Sequence, residues 1–140
     1  MAKFAFKDSS DYAIRLGRIV DAAEEGRIAQ KAIYEAAGIV TDRIRANLRS
    51  VISGDATGDL EKSLGIAPIE KDREGNWNTK IGFDGYDRNG VPNQLKARVL
   101  ESGRSNQKKR PFVRPAVRQM KAEAIKAMDR VIQEEIEKMK

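Results

Sequence analysis

The chain contains no cysteine and no histidine. Without thiols there can be no disulfide, no thiolate nucleophile and no cysteine-based zinc site. Without imidazole the commonest general base and the commonest transition-metal ligand are missing, so Ser-His-Asp and Cys-His arrangements are excluded. Long apolar runs are missing too. Nothing approaches the roughly 18 consecutive apolar residues of a membrane span. The N-terminus lacks the apolar run of a signal peptide. The expectation is a protein that is neither secreted by that route nor membrane-spanning, and that is stable without redox help, as suits the cytosol.

What is present is one domain's worth of chain. The 140 residues, 40% of them hydrophobic, supply one modest core. Lys and Arg number 27 against 21 Asp and Glu, a formal charge of +6. That excess favours solubility and attracts acidic partners, but carries no information about fold.

Two segments have strong helical periodicity. From about Arg27 to Ile52, the residues Ile33, Ala37, Val40, Ile44, Leu48 and Val51 recur at steps of four and three and form one stripe. Arg43, Arg45 and Arg49 fall mostly off that stripe, and Ala32, Ala36 and Gly38 permit close packing. From Ala116 to Met139 a second stripe runs through Val117, Met120, Ala124, Met128, Val131, Ile132, Ile136 and Met139. Glu134, Glu135 and Glu137 are expected with Lys138 and Lys140 on its solvated face, and Pro115 suits the first helical position.

Other segments read as follows. Lys3 to Lys7 alternates polar and apolar, with Phe4 and Phe6 on one side, as an edge strand does. Ser9 or Ser10 is placed to cap a helix beginning near Asp11, with Tyr12, Leu16, Ile19 and Val20 on one face. Gly26 either interrupts that helix or is tolerated in it, and Gly54 suits a helix stop. Thr57 to Leu64 reads as a turn leading into a short helical turn. Between Gly65 and Asp84, Ile66, Trp77, Thr79, Ile81 and Phe83 are bounded by turn formers, which predicts a two-stranded hairpin. Gly85 to Asn93 reads as a loop, and Leu95 to Leu100 fits helix or strand. Gly103 to Arg110 is polar and basic, and 104–111 is expected to be a mobile loop. The fold class predicted is α+β: a small, mainly antiparallel sheet packed with two long amphipathic helices, the second C-terminal, in a single domain over 1–140.

Candidate chemistry is sparse. Setting Gly90 at position 6 of a calcium loop puts Gly85 at position 1 and Lys96 at position 12, where oxygen ligands are needed. A plain turn fits better. Glu70, Asp72 and Glu74 sit among turn residues, so spacing singles out no acid–base pair. The Gly-Lys-Ser/Thr of a phosphate-binding loop is absent. No catalytic residue, metal ligand or cofactor site is assigned. The basic segment stands out: Arg104, Lys108, Lys109, Arg110, Arg114 and Arg118 lie within fifteen residues that hold no acid. Such a cluster suits a phosphate backbone or an acidic protein surface, and the bland alternative is a solvated loop. Basic groups at a helix start oppose its dipole, so helix stabilisation does not account for them.

Three stretches in order carry a family resemblance. The first is Ala46-Asn47-Leu48-Arg49 followed by Thr57-Gly58-Asp59-Leu60-Glu61-Lys62-Ser63-Leu64, similar to a Thr-Gly-x-Leu-x-x-Ser-Ile/Leu element. The second is Ala97-Arg98-Val99-Leu100-Glu101-Ser102-Gly103, similar to Tyr/Ala-x-x-Val-Glu-x-Gly, with Leu100 intervening between Val99 and Glu101. The third is Arg110-Pro111-Phe112-Val113-Arg114-Pro115-Ala116, similar to Pro-Phe-Leu-Arg-Pro-Ala. Over about residues 27 to 140 the chain resembles the minor tail-component family of long-tailed double-stranded DNA phages, the head–tail joining, neck or tail-completion proteins. Asn106 to Arg110 is more basic than that family's usual linker.

The resemblance implies a structural, non-enzymatic subunit of the virion, resident in host cytoplasm before assembly. It implies a homo-oligomeric ring at the neck or upper tail, touching connector, tail terminator or tail tube proteins, with DNA contact possible but not required and no membrane. Arg104, Lys108, Lys109, Arg110 and Arg114 are the expected partner-contact residues. Thr57, Gly58, Leu60, Ser63, Glu101, Gly103, Pro111, Phe112, Arg114 and Pro115 are expected to serve the fold. Thr57 and Asp59 are placed to cap the short helix, with Gly58 giving a sharp entry. Glu101 is in reach of Arg98 or Arg104, and Phe112 of the core. The rival reading is a small basic nucleic-acid-binding protein.

Overall fold

The structure, a computed structural model, describes residues 2–5, 22–52 and 58–139. The helix expected from Asp11, Phe6, Gly54 and Thr57 lie outside the described residues. Strand β1 is Ala2–Ala5, helix α1 Ala22–Val51 and the single-turn α2 Asp59–Lys62. Strands β2, β3 and β4 are Leu64–Ile66, Glu70–Lys71 and Trp77–Phe83. Helices α3 and α4 are Asn93–Ser102 and Val113–Lys138. The fold is α+β.

Helix α1, about 45 Å long at 1.5 Å per residue, is the spine. Ile33, Ala37, Val40, Ile44 and Leu48 are all buried along it, and the fully buried Ala32 and Ala36 let neighbours approach closely. Helix α4 packs along it in the opposite direction. Arg27 meets Glu135 near one end, Arg43 meets Gln119, and Asn47 donates to the Phe112 carbonyl near the other. Gly26 lies inside α1 and is tolerated for a packing reason. A Cβ there would stand 3.0 Å from the Trp77 ring.

The sheet is antiparallel throughout, with β4 at its centre. β1 pairs on one side (Ala2 with Ile81, Ala5 with Asn78), and β2 and β3 on the other. β2 and β3 are two pieces of one strand broken by a bulge. Ile66 faces Ile81 and Glu70 faces Asn78, so four steps on one strand oppose three on its partner. Pro68, which has no N–H to give, falls in the bulge. The expected hairpin is closed by Asp72, whose Oδ1 accepts the N–H groups of Glu74 and Asn76 at 2.9 Å each. Thr79, Ile81 and Phe83 alternate inward onto α1.

Leu95 to Leu100, open between helix and strand in the sequence, belongs to a helix, α3. One boundary differs from expectation. Helix α4 begins at Val113, so Pro115 is its third residue instead of its first. The position remains harmless, because the first turn's N–H groups have no partner within the helix. A second correction concerns Glu135, expected on a solvated face. It is 3% exposed and takes ion pairs from Arg27, Lys31 and Lys138.

Candidate functional site

The three motif stretches meet at one end of the molecule, where α1 finishes and α4 starts. Helix α2 is entered through Gly58, whose φ of 85° is left-handed backbone that glycine adopts without cost from a Cβ. Leu60 is buried beneath it. Ser63 closes the turn, with its Oγ donating to the Leu60 carbonyl at 2.6 Å. Asp59 is the first residue of this helix. Its carboxylate holds the Arg88 guanidinium and accepts the Arg88 backbone N–H at 3.1 Å, tying α2 to the 84–92 loop. Arg49 of α1 pairs with Glu61.

The second and third stretches are joined by one carboxylate. Glu101 Oε2 accepts the N–H groups of Phe112 and Val113 at 2.8 and 2.9 Å, and Oε1 accepts that of Arg114 at 3.0 Å. It thereby caps α4 from the last turn of α3, where Phe112, the residue before the helix, has no capping side chain of its own. Partial burial pushes the Glu101 carboxyl up, but the three N–H groups and the nearby Arg114 charge outweigh it and hold the group below its ordinary value. The expected pairing of Glu101 with Arg98 or Arg104 is replaced by these backbone bonds, which satisfy otherwise orphaned donors.

Between Glu101 and Phe112 the chain makes a tight turn. Arg104 and Gln107 exchange both backbone hydrogen bonds at 3.0 Å, and Arg110 N–H donates to the Leu100 carbonyl at 2.6 Å. Gly103 allows this corner at φ 74°, ψ −175°, where a Cβ would lie 2.9 Å from both the Gln107 carbonyl oxygen and the Lys109 nitrogen. Phe112 then turns inward, fully buried and edge-on to Phe83 with ring centres 5.8 Å apart. Pro111 is exposed beside it, and Pro115 lies within the first turn of α4.

Of the expected contact residues, Arg104, Lys108, Lys109, Arg110 and Arg114 are all exposed on this corner. The Arg110 guanidinium donates to the Val51 carbonyl at 3.2 Å, which fastens the turn to the end of α1. The others project from a hydrogen-bonded scaffold, so the motif residues build the corner and the basic residues decorate it. Two more arginines join them, both exposed: Arg118 from α4, already a member of the linear basic cluster, and Arg98 from α3, which that cluster does not include. The i, i+4 spacing of Arg114 and Arg118 was the available signal. None of the seven cations between 98 and 118 forms an ion pair with a described residue.

Helix α3 packs on α2 and β4, and a cleft of about 1240 Å³ opens between it and α4. Among the described residues no group of three or more carboxylates is placed to hold a metal ion, and no helix is long and apolar enough to cross a membrane. No protein family matches the chain, and no curated protein or solved structure matches it significantly.

Proposed function

We propose that this chain is a structural subunit of a tailed bacteriophage virion that completes the tail or joins it to the head, acting within a ring at the neck or upper tail. The observation that carries the reading is the Glu101 corner. The residues that resemble the family's motifs are those that cap, turn and plug one end of the molecule: Gly58, Ser63, Glu101, Gly103 and Phe112. Motif residues with such architectural work leave the chemistry to what the corner displays, an array of basic side chains that form no ion pair with a described residue. A cationic surface carried on a hydrogen-bonded turn suits recognition better than bond-making. A ring of identical subunits needs a heterologous interface that closes on itself, and the neighbours in this reading are connector, tail terminator or tail tube proteins. The protein then resides in the virion, and in the host cytoplasm before assembly.

The test is electron microscopy of a lysate in which this gene is stopped early. Filled heads beside detached tails, or tails of faulty length, are expected, and would show which side of the junction fails. Intact infectious particles would overturn the reading. A charge-reversal variant, Lys108→Glu with Lys109→Glu and Arg110→Glu, is expected to reproduce the defect, and circular dichroism of the purified variant checks that losing the Arg110–Val51 bond leaves the subunit folded. Normal assembly with that variant would remove the 104–114 stretch from the interface.

A further inference from the structure

The cleft between α3 and α4 has a composition of its own. Its apolar lining comes from Leu95 and Ala97 on α3 and from Val113 and Val117 on α4. Leu95 is 41% exposed, so its side chain is accessible to an occupant of the cleft. Arg98, Arg114 and Arg118 stand on the same walls. The cleft's own carboxylate, Glu101, spends its oxygens on backbone N–H groups and forms no ion pair with these guanidinium groups; its single charge, felt by Arg114, offsets one of the three. Residues 98–118 hold seven cations and one acid, a net +6 (7 − 1).

The geometry points to this cleft as the docking site for an acidic amphipathic segment of a partner protein, its aliphatic side chains against Leu95 and Val117 and its carboxylates on Arg98, Arg114 and Arg118. Two features select that occupant. Planar guanidinium groups recognise carboxylates through paired hydrogen bonds, so the walls ask for an anion. The aliphatic lining asks for apolar side chains as well. A duplex nucleic acid satisfies only the first, because phosphate contacts gain nothing from an apolar floor. An amphipathic helix laid in a groove satisfies both, with apolar anchors at helical spacing and charges along their flanks. Helix α4 supports the match, since Arg114 and Arg118 are four residues apart and so about 6 Å apart along the axis, the spacing of i and i+4 glutamates on a partner helix.

The inference deepens the proposed assembly role by naming the partner's chemistry, and it is tested on the purified chain without phage. The probe is a fluorescein-labelled 20-residue helical peptide with leucines along one face and glutamates on both flanks, titrated by anisotropy. The comparison probes are the same peptide with glutamine for every glutamate, and a 20-base-pair DNA duplex. Binding of the acidic peptide is expected to weaken at least about tenfold in an Arg98→Glu, Arg118→Glu double variant, and severalfold in Leu95→Asp. All three positions are exposed, and circular dichroism checks that the variants stay folded. The glutamine peptide is expected to bind at least about tenfold more weakly than the acidic one. Equal binding of the acidic peptide to wild type and both variants would overturn the inference, as would no binding at all. Tighter binding of the duplex, lost in the arginine variant but unchanged by Leu95→Asp, would assign the face to phosphate instead. If the peptide fails while the interrupted gene still gives defective particles, the docking inference falls and the assembly reading stands.

Discussion

The Glu101 carboxylate accepts the backbone N–H of Phe112, eleven positions further along the chain, at 2.8 Å. With the Val113 and Arg114 N–H groups on the same carboxylate, one side chain in the last turn of α3 closes the basic turn and starts α4. Helix starts are usually capped by the residue immediately before them. Here that place is filled by Phe112, whose ring is needed in the core against Phe83. A glutamate from the preceding helix supplies the acceptor that Phe112 cannot.

Glu101→Ala is expected to cost about 1–2 kcal/mol, the range for losing a strong helix cap. The buried Phe112 loses its N–H partner as well, which places the loss towards the upper end. Glu101→Gln keeps a carbonyl oxygen but loses the charge, and is expected to fall between alanine and wild type. Urea denaturation of the three proteins at pH 7 gives the order. Equal midpoints for wild type and Glu101→Ala would mean the three bonds contribute nothing net.

Gly103→Ala is expected to be the worse substitution, although it removes no side-chain contact. The position combines φ 74° with an extended ψ, a region that is essentially glycine-only, and a Cβ would press on backbone atoms of Gln107 and Lys109 at 2.9 Å. Strain of about 1–3 kcal/mol is added to that clash. Neighbouring backbone cannot rotate aside as a side chain can, so the turn must open. Loss of more than about 2 kcal/mol is expected, with the amide protons of Arg104, Gln107 and Arg110 exchanging faster than in wild type. A fully stable Gly103→Ala protein with unchanged exchange would show that the turn is not held as described.

Much of this was legible in the sequence, and what was not has a physical cause. The stripes of α1 and α4 were readable because thirty and twenty-six residues give many repeats of a 3.6-residue period. Leu95 to Leu100 was ambiguous because six residues hold too few. The Glu101 cap was invisible because its donors lie eleven to thirteen residues away, and only the Gly103 turn brings them within reach. Phe112 was readable as core, since an aromatic residue between two prolines beside a helix has few other uses. Glu135 could have been placed correctly. It lies seven residues after Met128 and four after Val131, and so on the apolar stripe, although its charge alone suggests the solvated face.

Burial of that glutamate makes a pH prediction. Lys31 holds the Glu135 carboxylate in its charged form, burial opposes this, and Arg27 and Lys138 add to Lys31, for a value of about 2 in the fold against the ordinary 4.5. A carboxyl group lowered on folding binds its proton more readily in the unfolded chain. Its contribution is complete at neutral pH, declines as the pH drops below the unfolded value, and is lost near pH 2. Glu101, also lowered, acts in the same direction. Glu135→Gln is therefore expected to cost about 1–2 kcal/mol at pH 7, less than a fully buried pair because its cationic partners are half exposed. The gap to wild type should close as the pH falls to about 2. Parallel stability curves from pH 7 to pH 2 would count against the pairing.

The contact between Gly26 and Trp77 sets two known effects against each other. Replacing a mid-helix glycine by alanine ordinarily gains up to about 1 kcal/mol from the backbone and from helix propensity. Here the new methyl would sit 3.0 Å from Trp77 Cζ2, closer than carbon atoms rest. The obstacle is a half-buried side chain and not backbone, so the ring can give by a few tenths of an ångström. The gain and the strain are thus expected to cancel, leaving stability within about 1 kcal/mol of wild type. The displaced ring must still report itself. Trp77 is the chain's single tryptophan, so Gly26→Ala should shift its emission maximum without lowering the melting temperature appreciably. Gly26→Leu cannot be absorbed in this way, because a branched side chain fills the volume the indole occupies. Overpacking of that kind costs about 1–3 kcal/mol, and it should pry β4 from the N-terminal end of α1. If both variants leave the emission spectrum unchanged, Trp77 does not rest on Gly26.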